Sequence, residues 1–237
     1  MTDSPLTGAY LAAAVRAAER PLLEAGEPLM REAAAALADI ALERLRGASG
    51  GAVLVLAGAG DNGGDALFAA ATIAGAGHDV DVVLTADRSH RQALAAALAA
   101  GARLRGTGEV CTRPGSYALV LDGILGIGAA ADARLRGAAR AIVEALLPLV
   151  ASGVDVIAVD IPSGLHPDDG AADDVVLPAS VTVTFGAVKA GLVRGRGPEL
   201  AGEVRLVDLG LGPALARARP AVTGPVPVVR VPRPQRA

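Results

Sequence analysis

The amino-acid sequence predicts an α/β domain with a mostly parallel sheet between two layers of helices. Segments typical of strands and of helices alternate through the middle of the 237-residue chain. The strand segments are almost continuously apolar, whereas a strand with one exposed face alternates apolar and polar residues. Because only strands covered on both faces need apolar side chains at every position, we expect a doubly wound, three-layer sandwich.

Two helices are predicted before the first strand, over residues 9–48. The segments "YLAAAVRAAERPLLEAG" and "PLMREAAAALADIALERLRGASGG" repeat apolar residues every three or four positions and close on glycines. The elements expected after them are a strand at 53–57, a helix at 65–76, a strand at 80–84, a helix at 88–100, a strand at 118–122, a helix at 134–151 and a strand at 154–160.

The last third of the chain is less regular. Beyond residue 175, "SVTVTF" and "GEVRLVDLGL" predict further strands without a long helix between them. Residues 213–237 are rich in Pro and Arg and are predicted to form a tail or linker. Residues 1–212 then form one domain.

The composition excludes several classes of partner. A net charge of -3 and an aromatic content of 2% supply neither a cationic surface for phosphates nor stacking platforms for bases, so nucleic acid is not expected. Cys111 is the only cysteine, and the three histidines lack the spacing of a zinc site. No segment has the length and apolarity of a membrane span or the pattern of an export signal. We expect a cytoplasmic protein that does not contact membranes.

Polar or glycine-rich segments follow three of the predicted strands: 58–65, 122–128 and 160–164. Ligands of open parallel sheets bind outside the carboxyl ends of the strands, so these segments are candidates for a site. Each has a plain alternative, because G-x-G-x-x-G is a weak match in a chain with 30 glycines and Asp122 or Asp160 alone could be a helix cap or turn former. Together they favour a ligand, since carboxylates at adjacent strand ends repel each other.

The order of these motifs resembles the NAD(P)H-hydrate epimerase family, whose domain is also called YjeF N-terminal. The family's G-P-G-N-N-G-G-D-G appears here as "GAGDNGGDA", its D-A-L-L-G-T-G as "DGILGIG", and its V-D-I-P-S-G with a following D-x-x-x-G as "VDIPSGLHPDDG". The segments "LMREAA" and "TFGAVKAGL" resemble two more family segments. The resemblance covers about residues 9–212.

The resemblance implies a Rossmann-like domain that interconverts the R and S epimers of NADH or NADPH hydrated at C6 of the nicotinamide ring, a cofactor-repair reaction. It implies a potassium ion bound by Asn62, Asp122 and Ser163. The substrate-binding residues that it implies are Asp61, Asn62, Gly63, Gly64, Asp65, Gly126, Ile127, Gly128, Ala129 and Asp160. Some family members continue into an ADP- or ATP-dependent dehydratase, which makes such an enzyme the expected functional partner. A homodimer through the N-terminal helices is also expected.

The residue chemistry is compatible with these implications. Oxygen ligands with a single carboxylate suit a hard cation, and the N–H groups of a glycine loop at a helix start suit a diphosphate. We predict Asp160 as the general acid and base, because the apolar "VIAV" and the rigid Pro162 beside it are expected to raise its pKa by desolvation. Loss of the C6 hydroxyl would give a planar iminium, and water would return on the other face.

Two other hypotheses stay open. Asp61 replaces the family's first Asn and Ile127 its Thr, which favours a non-catalytic nucleotide-binding or scaffold module. The retained Asp122, Asp160 and Ser163 argue against such a module. A dehydrogenase would use the glycine loop as an ordinary dinucleotide fingerprint and Asp87 as the ribose ligand, but this leaves the Asp-Ile-Pro-Ser-Gly turn unexplained. Lys189, the only lysine, is as consistent with a solvated or carbonyl-capping role as with a site role.

Overall fold

Parallel strands form the central sheet of the computed structural model, which describes residues 8–47, 50–112, 117–128 and 132–234. The strands are β1 (Ala52–Ala57), β2 (Val80–Leu84), β3 (Arg103–Leu104), β4 (Tyr117–Gly123), β5 (Asp155–Val159), β6 (Val181–Phe185), β7 (Glu203–Val207) and β8 (Val229–Val231). Their order is β3-β2-β1-β4-β5-β6-β7-β8, and each neighbouring pair is parallel. The predicted parallel α/β architecture is confirmed.

Helices cover both faces of this sheet. They are α1 (Ala12–Glu24), α2 (Leu29–Leu45), α3 (Asp61–Gly75), α4 (Arg91–Ala99), α5 (Thr107–Thr112), α6 (Gly137–Ala151), α7 (Gly197–Leu200) and α8 (Gly212–Leu215). Val53 and Val55 of β1 pack in one core with α2, α3 and α4, while Leu54 and Leu56 pack in a second core with α6. This explains why β1 is apolar at every position. In the part of the chain that is described, no helix combines the length and apolarity needed to cross a bilayer.

The glycine segment after β1 differs from the predicted loop. Helix α3 begins at Asp61 rather than at Asp65, so the loop shrinks to Gly58–Gly60 and the next residues form a helical turn. Glycine is a poor helix former, but a Cβ at Gly63 would overlap the Gly58 carbonyl. Close packing of the turn on the loop therefore outweighs propensity and requires glycine at this position.

The C-terminal segment also differs from a loose tail or linker. Val229–Val231 pairs with β7 as the last strand, and Val222 forms a bridge with Ala9. The Arg233 guanidinium donates hydrogen bonds to Glu32 and Glu27 of the N-terminal helical region at 2.9–3.1 Å. Proline is compatible with an edge strand, which is why a Pro-rich composition did not reveal β8. The domain boundary at residue 212 stays a prediction.

Strand order reverses between β1 and β4. The connection from β1 runs through α3 on one face of the sheet, and the connection from β4 runs through α6 on the other. The two connections separate at the carboxyl ends of these strands and leave a crevice there, which is where ligands of doubly wound sheets bind.

Candidate active site

A cavity of about 1020 Å³ opens at the carboxyl ends of β1, β4 and β5. Its walls come from the loop after β1, the first turn of α3, the segment after β4, and helices α1 and α2. Its volume is at the upper end of the ~300–1,000 Å³ usual for small-molecule and cofactor sites.

The segments after β4 (residues 122–128) and after β5 (residues 160–164) meet under this cavity. Asp122, at the end of β4, accepts hydrogen bonds from the backbone N–H of Ser163 at 2.8 Å and of Ile124 at 3.4 Å. The Ser163 hydroxyl accepts a hydrogen bond from Leu125 N–H at 2.9 Å. Burial raises the pKa of Asp122, and the hydrogen bonds from Ser163 and Ile124 oppose that rise. Asp122 is therefore a deeply buried carboxyl held mainly by neutral donors.

The glycine-rich segment after β1 (residues 58–65) joins the same cluster through Asn62. Its side-chain amide donates hydrogen bonds to the carbonyl of Leu125 at 3.1 Å and of Val159 at 2.5 Å. A Cβ at Gly126 would overlap this amide, so the segment after β4 needs glycine at this position in order to pack on Asn62. The structure thus brings Asn62, Asp122 and Ser163 together around the Leu125 backbone.

Asp160 lies on the cavity wall in a strained conformation. Its φ of 68° is the one positive value found at a non-glycine residue in the described ranges. Such strain costs on the order of 1–3 kcal/mol and concentrates at functional sites. Its Oδ1 accepts hydrogen bonds at 3.2 Å from the Thr184 hydroxyl and from Phe185 N–H.

Lys189 supplies the charge partner of Asp160. The ammonium group donates to Asp160 Oδ1, to Thr184 Oγ1 at 3.2 Å and to the Phe185 carbonyl at 2.9 Å, and the residue is 0% exposed. The predicted apolar surroundings of Asp160 are thus incomplete, because a buried ion pair is formed there. Of the roles considered for Lys189, carbonyl capping is observed, because its ammonium donates to the Phe185 carbonyl. A solvated lysine is not, because the residue is fully buried.

Asp65 is a second carboxyl on this wall. It belongs to the first turn of α3, is 6% exposed, and its Oδ1 has no hydrogen-bond partner in the described residues. Burial raises its pKa well above the ordinary value, and the negative charges of Asp160, Asp61 and Glu19 add to that rise. Lys189 opposes it.

Helix α1 contributes residues that the sequence did not single out. Glu19 faces the cavity, where burial raises its pKa, and Arg16 Nη1 donates to the Ile127 carbonyl at 2.5 Å. The helix is fixed at its start by Asp168, which accepts a hydrogen bond from Ala12 N–H at 2.7 Å. No local motif marks such residues, because α1 reaches the cavity only through tertiary packing.

Most residues predicted to bind substrate line the cavity, namely Asp61, Asn62, Asp65, Gly126, Ile127, Gly128 and Asp160. Gly63 and Gly64 lie within α3 and are not among the lining residues. Ala129 is outside the described residues. Asp87, the ribose ligand of the dehydrogenase hypothesis, is exposed and does not line the cavity. In the described ranges, no group of three or more His, Cys, Asp and Glu side chains could hold a metal ion.

The family model and the curated relatives that match this chain agree on one family. Residues 26–191 match the family model described as YjeF-related protein N-terminus. A protein of Microbacterium testaceum named NAD(P)H-hydrate epimerase is 66% identical over 96% of this chain and 90% of its own length. A protein of the same name from Clavibacter michiganensis is 51% identical over 98% of this chain and all of its own length.

Two further similarities concern longer and more distant proteins. A Mycobacterium tuberculosis protein named bifunctional NAD(P)H-hydrate repair enzyme is 41% identical over 85% of this chain, and the match covers 41% of that protein. A crystal structure of a yeast protein superposes with a TM-score of 0.68 at 22% identity, covering 78% of this chain and 83% of that one. This last similarity supports the fold.

Proposed function

The chain belongs to the family of YjeF-related protein N-termini, and from that membership we propose that it is an NAD(P)H-hydrate epimerase, an isomerase of hydrated NADH and NADPH. The observation that carries the proposal is the 66% identity to a protein of that name, which extends over nearly the whole of both chains. The reaction inverts C6 of the hydrated nicotinamide ring between its R and S forms and leaves its oxidation state unchanged.

The charge distribution of the cavity suits a dinucleotide. Carboxyl groups of Asp65 and Asp160 lie buried on its wall, whereas the side chains of Arg20, Arg134 and Arg136 on the lining are 63–78% exposed. Arginine side chains bind phosphate oxygens well, so the exposed rim suits the diphosphate. A carboxylate stabilises a developing positive charge, so the wall that carries Asp160 suits the ring that becomes an iminium.

In the proposed mechanism the ring nitrogen's lone pair expels the C6 hydroxyl, and water adds to the other face of the planar iminium. Asp160 transfers protons to and from these oxygens, because its carboxyl borders the cavity and is fixed by Lys189 and Thr184. The strained backbone of Asp160 and these hydrogen bonds hold the carboxyl in one orientation before substrate arrives.

A potassium ion fits the cluster under the cavity. Asp122 is 1% exposed and forms no ion pair within the described residues, so a bound cation would compensate its charge. Amide, carboxylate and hydroxyl oxygens are ligands that a hard cation accepts. We propose that Asn62, Asp122 and Ser163 hold the ion. Its positive charge would keep Asp122 ionised and stabilise the packing of the three motifs.

We also propose that a dehydratase acts with this protein. The bifunctional relatives carry the matching region in less than half of their length, and an ADP- or ATP-dependent NAD(P)H-hydrate dehydratase that consumes one epimer would draw on the epimerase product. The homodimer through α1 and α2 and the cytoplasmic location stay predictions.

The test is an epimerisation assay with separated R and S hydrates of NADH in ¹⁸O-labelled water, compared with the rate without protein. We expect each hydrate to reach the equilibrium mixture, with one solvent oxygen entering C6 per inversion and no oxidation or reduction. Inversion with the original oxygen retained would exclude the iminium route. The scaffold hypothesis predicts no acceleration, and the dehydrogenase hypothesis predicts an absorbance change with a hydroxy or carbonyl substrate instead.

The same assay tests Asp160. Asp160→Asn keeps the size of the side chain and is expected to lower the rate at least ~100-fold, the usual contribution of a general acid or base. Asp87→Asn removes an exposed carboxylate outside the cavity and is the matched control, with an unchanged rate. Wild-type turnover in Asp160→Asn would reduce Asp160 to a turn residue.

A further inference from the structure

The carboxyl group of Asp65 is buried without a partner on the wall of the cavity. Neither of its oxygens forms a hydrogen bond with a described residue, and Oδ1 is fully enclosed. Leaving a buried polar group unpaired costs about 1–3 kcal/mol. Asn62, three residues earlier on the same helical turn, has two partners for its amide. Burial on this helical turn thus does not by itself leave a side chain unpaired, and the cost at Asp65 is a reason to seek a function for the group.

The surroundings of Asp65 determine its protonation. Asp61 on its own helix, Glu19 on α1 and Asp160 after β5 are all acidic, while Lys189 is bound to Asp160. Helices α2 and α4 also pack on α3, and Arg31 and His90 from that side lie against the Phe68 ring. After burial, the nearby negative charges are the main reason that the pKa of Asp65 is raised. Burial and the surrounding charge therefore favour the protonated form of the Asp65 carboxyl.

Asp160 has the opposite character on the same cavity. The buried ammonium of Lys189 and two neutral donors, the Thr184 hydroxyl and the Phe185 N–H, surround its Oδ1, so this carboxyl has partners where Asp65 has none among the described residues. A carboxyl among acidic groups and a carboxyl paired with an ammonium have the different surroundings that separate the acid and the base of a catalytic pair. The two groups come from different elements, the start of α3 and the end of β5.

We propose that Asp65 is a second catalytic residue, which donates a proton to the hydroxyl leaving C6 while the Asp160 carboxylate accepts a proton from the water that adds. This inference rests on the proposed epimerase function. The C6–O bond breaks with its electrons on oxygen, which leaves as water with the Asp65 proton, and the nitrogen lone pair forms the C6=N bond. Water then bonds to C6, the nitrogen regains its lone pair, and the released proton goes to Asp160.

The balance of protons and water over one inversion is that expected of an epimerase. One proton has passed from Asp65 to Asp160, and nothing else is consumed or formed. The reverse inversion uses the same two groups with exchanged roles, and solvent restores the starting protonation between turnovers. With Asp160 alone, one carboxyl would have to serve both faces of the ring, whereas two carboxyls on different elements divide the two proton transfers between them.

The test compares wild type, Asp65→Asn and Asp65→Glu with the hydrates of NADH. Asp65→Asn is expected to lower kcat at least ~100-fold with KM changed little, and Asp65→Glu is expected to restore part of the rate because it keeps a proton donor. The wild-type kcat should fall as the pH rises through the raised pKa of Asp65, and this alkaline limb should be absent from Asp65→Asn. The melting temperature of Asp65→Asn should equal or exceed that of wild type, since the amide removes a buried acid.

Several outcomes would overturn the proposal. Wild-type kcat in Asp65→Asn, or a change in KM alone, would make Asp65 a packing or binding residue. A wild-type pH profile without an alkaline limb would do the same and requires no variant to fold. If wild type itself does not accelerate epimerisation, the proposed function fails rather than the role of Asp65.

Discussion

The two ends of the sheet differ in the partners of their buried and half-buried carboxylates. At the amino ends of the strands, Asp81 is bound by Arg103 and Arg105 at 3.0 Å, and Asp155 by Arg44 at 2.6 Å. At the carboxyl ends, neither Asp65 nor Asp122 has a cationic partner among the described residues, and Asp160 is paired with the fully buried Lys189.

The difference separates structural from functional charges. An arginine that reaches in from the surface neutralises a carboxylate and keeps its own hydration, so the amino-end pairs stabilise the fold at little cost. A carboxyl without such a partner lowers stability, and it stays reactive toward a ligand. The carboxyl ends therefore combine lower stability with the chemistry.

The largest effect is expected from breaking the Asp160–Lys189 pair. Lys189→Met leaves the Asp160 carboxylate unpaired in the interior, and removal of one partner of a buried pair typically costs about 3–5 kcal/mol. The free energy of unfolding from urea denaturation should fall by that amount. Asp160→Asn combined with Lys189→Met should regain most of the loss, because no unpaired charge then remains.

A strictly additive double variant would contradict this account, because additivity means that the two groups do not interact. Epimerisation separates stability from catalysis in the same proteins. The double variant is expected to be stable but to lack the acceleration, since it has no carboxyl at position 160.

The sequence predicted the frame of the site better than its chemistry. Apolar strands and strand-end motifs placed Asn62, Asp122 and Asp160 at one edge, because topology brings the carboxyl ends of parallel strands together. The approach of α1, which carries Glu19 to the cavity, has no local signal. The partner of Asp160 lies 29 residues away on a segment after β6, and only the folded chain brings the two together.

A smaller effect is expected from potassium. If Asn62, Asp122 and Ser163 hold the ion only in the folded state, then at ten times the dissociation constant the folded state gains about 1.4 kcal/mol. That gain corresponds to a rise in melting temperature of roughly 3–6 °C for a chain of this size. Sodium at equal ionic strength is the control for screening.

Variants at the two ends of the sheet make this measurement specific. Asp122→Asn should remove most of the potassium effect, because the cluster loses its full negative charge. Asp155→Asn, at the amino end, should retain it. Equal melting temperatures in potassium and sodium over a wide concentration range would exclude the ion site.

The smallest effect is expected at the amino end, from Arg44→Gln. The Arg44 and Asp155 side chains are 38% and 21% exposed, so solvent screens the pair and its loss should cost only ~0.2–1 kcal/mol. Burial alone would raise the pKa of Asp155, but hydrogen bonds from Arg44 and Ser180 outweigh it and hold the pKa below its ordinary value. A lowered pKa gives stability that is present above the ordinary Asp pKa of about 3.9 and is lost as the pH falls through the folded-state pKa.

Melting curves of Arg44→Gln at several pH values therefore show how the stability difference from wild type changes with pH at the amino end of the sheet. The difference from wild type should be present at neutral pH and shrink in acid. Asp65→Asn should behave in the opposite way. Because the pKa of Asp65 is raised, the wild type loses stability as the pH rises through that pKa. The stability of Asp65→Asn relative to wild type should therefore increase with pH. Parallel pH dependences for the two variants would show that Asp65 is as well compensated as Asp155, and the two ends of the sheet would not differ in the way that their hydrogen bonds indicate.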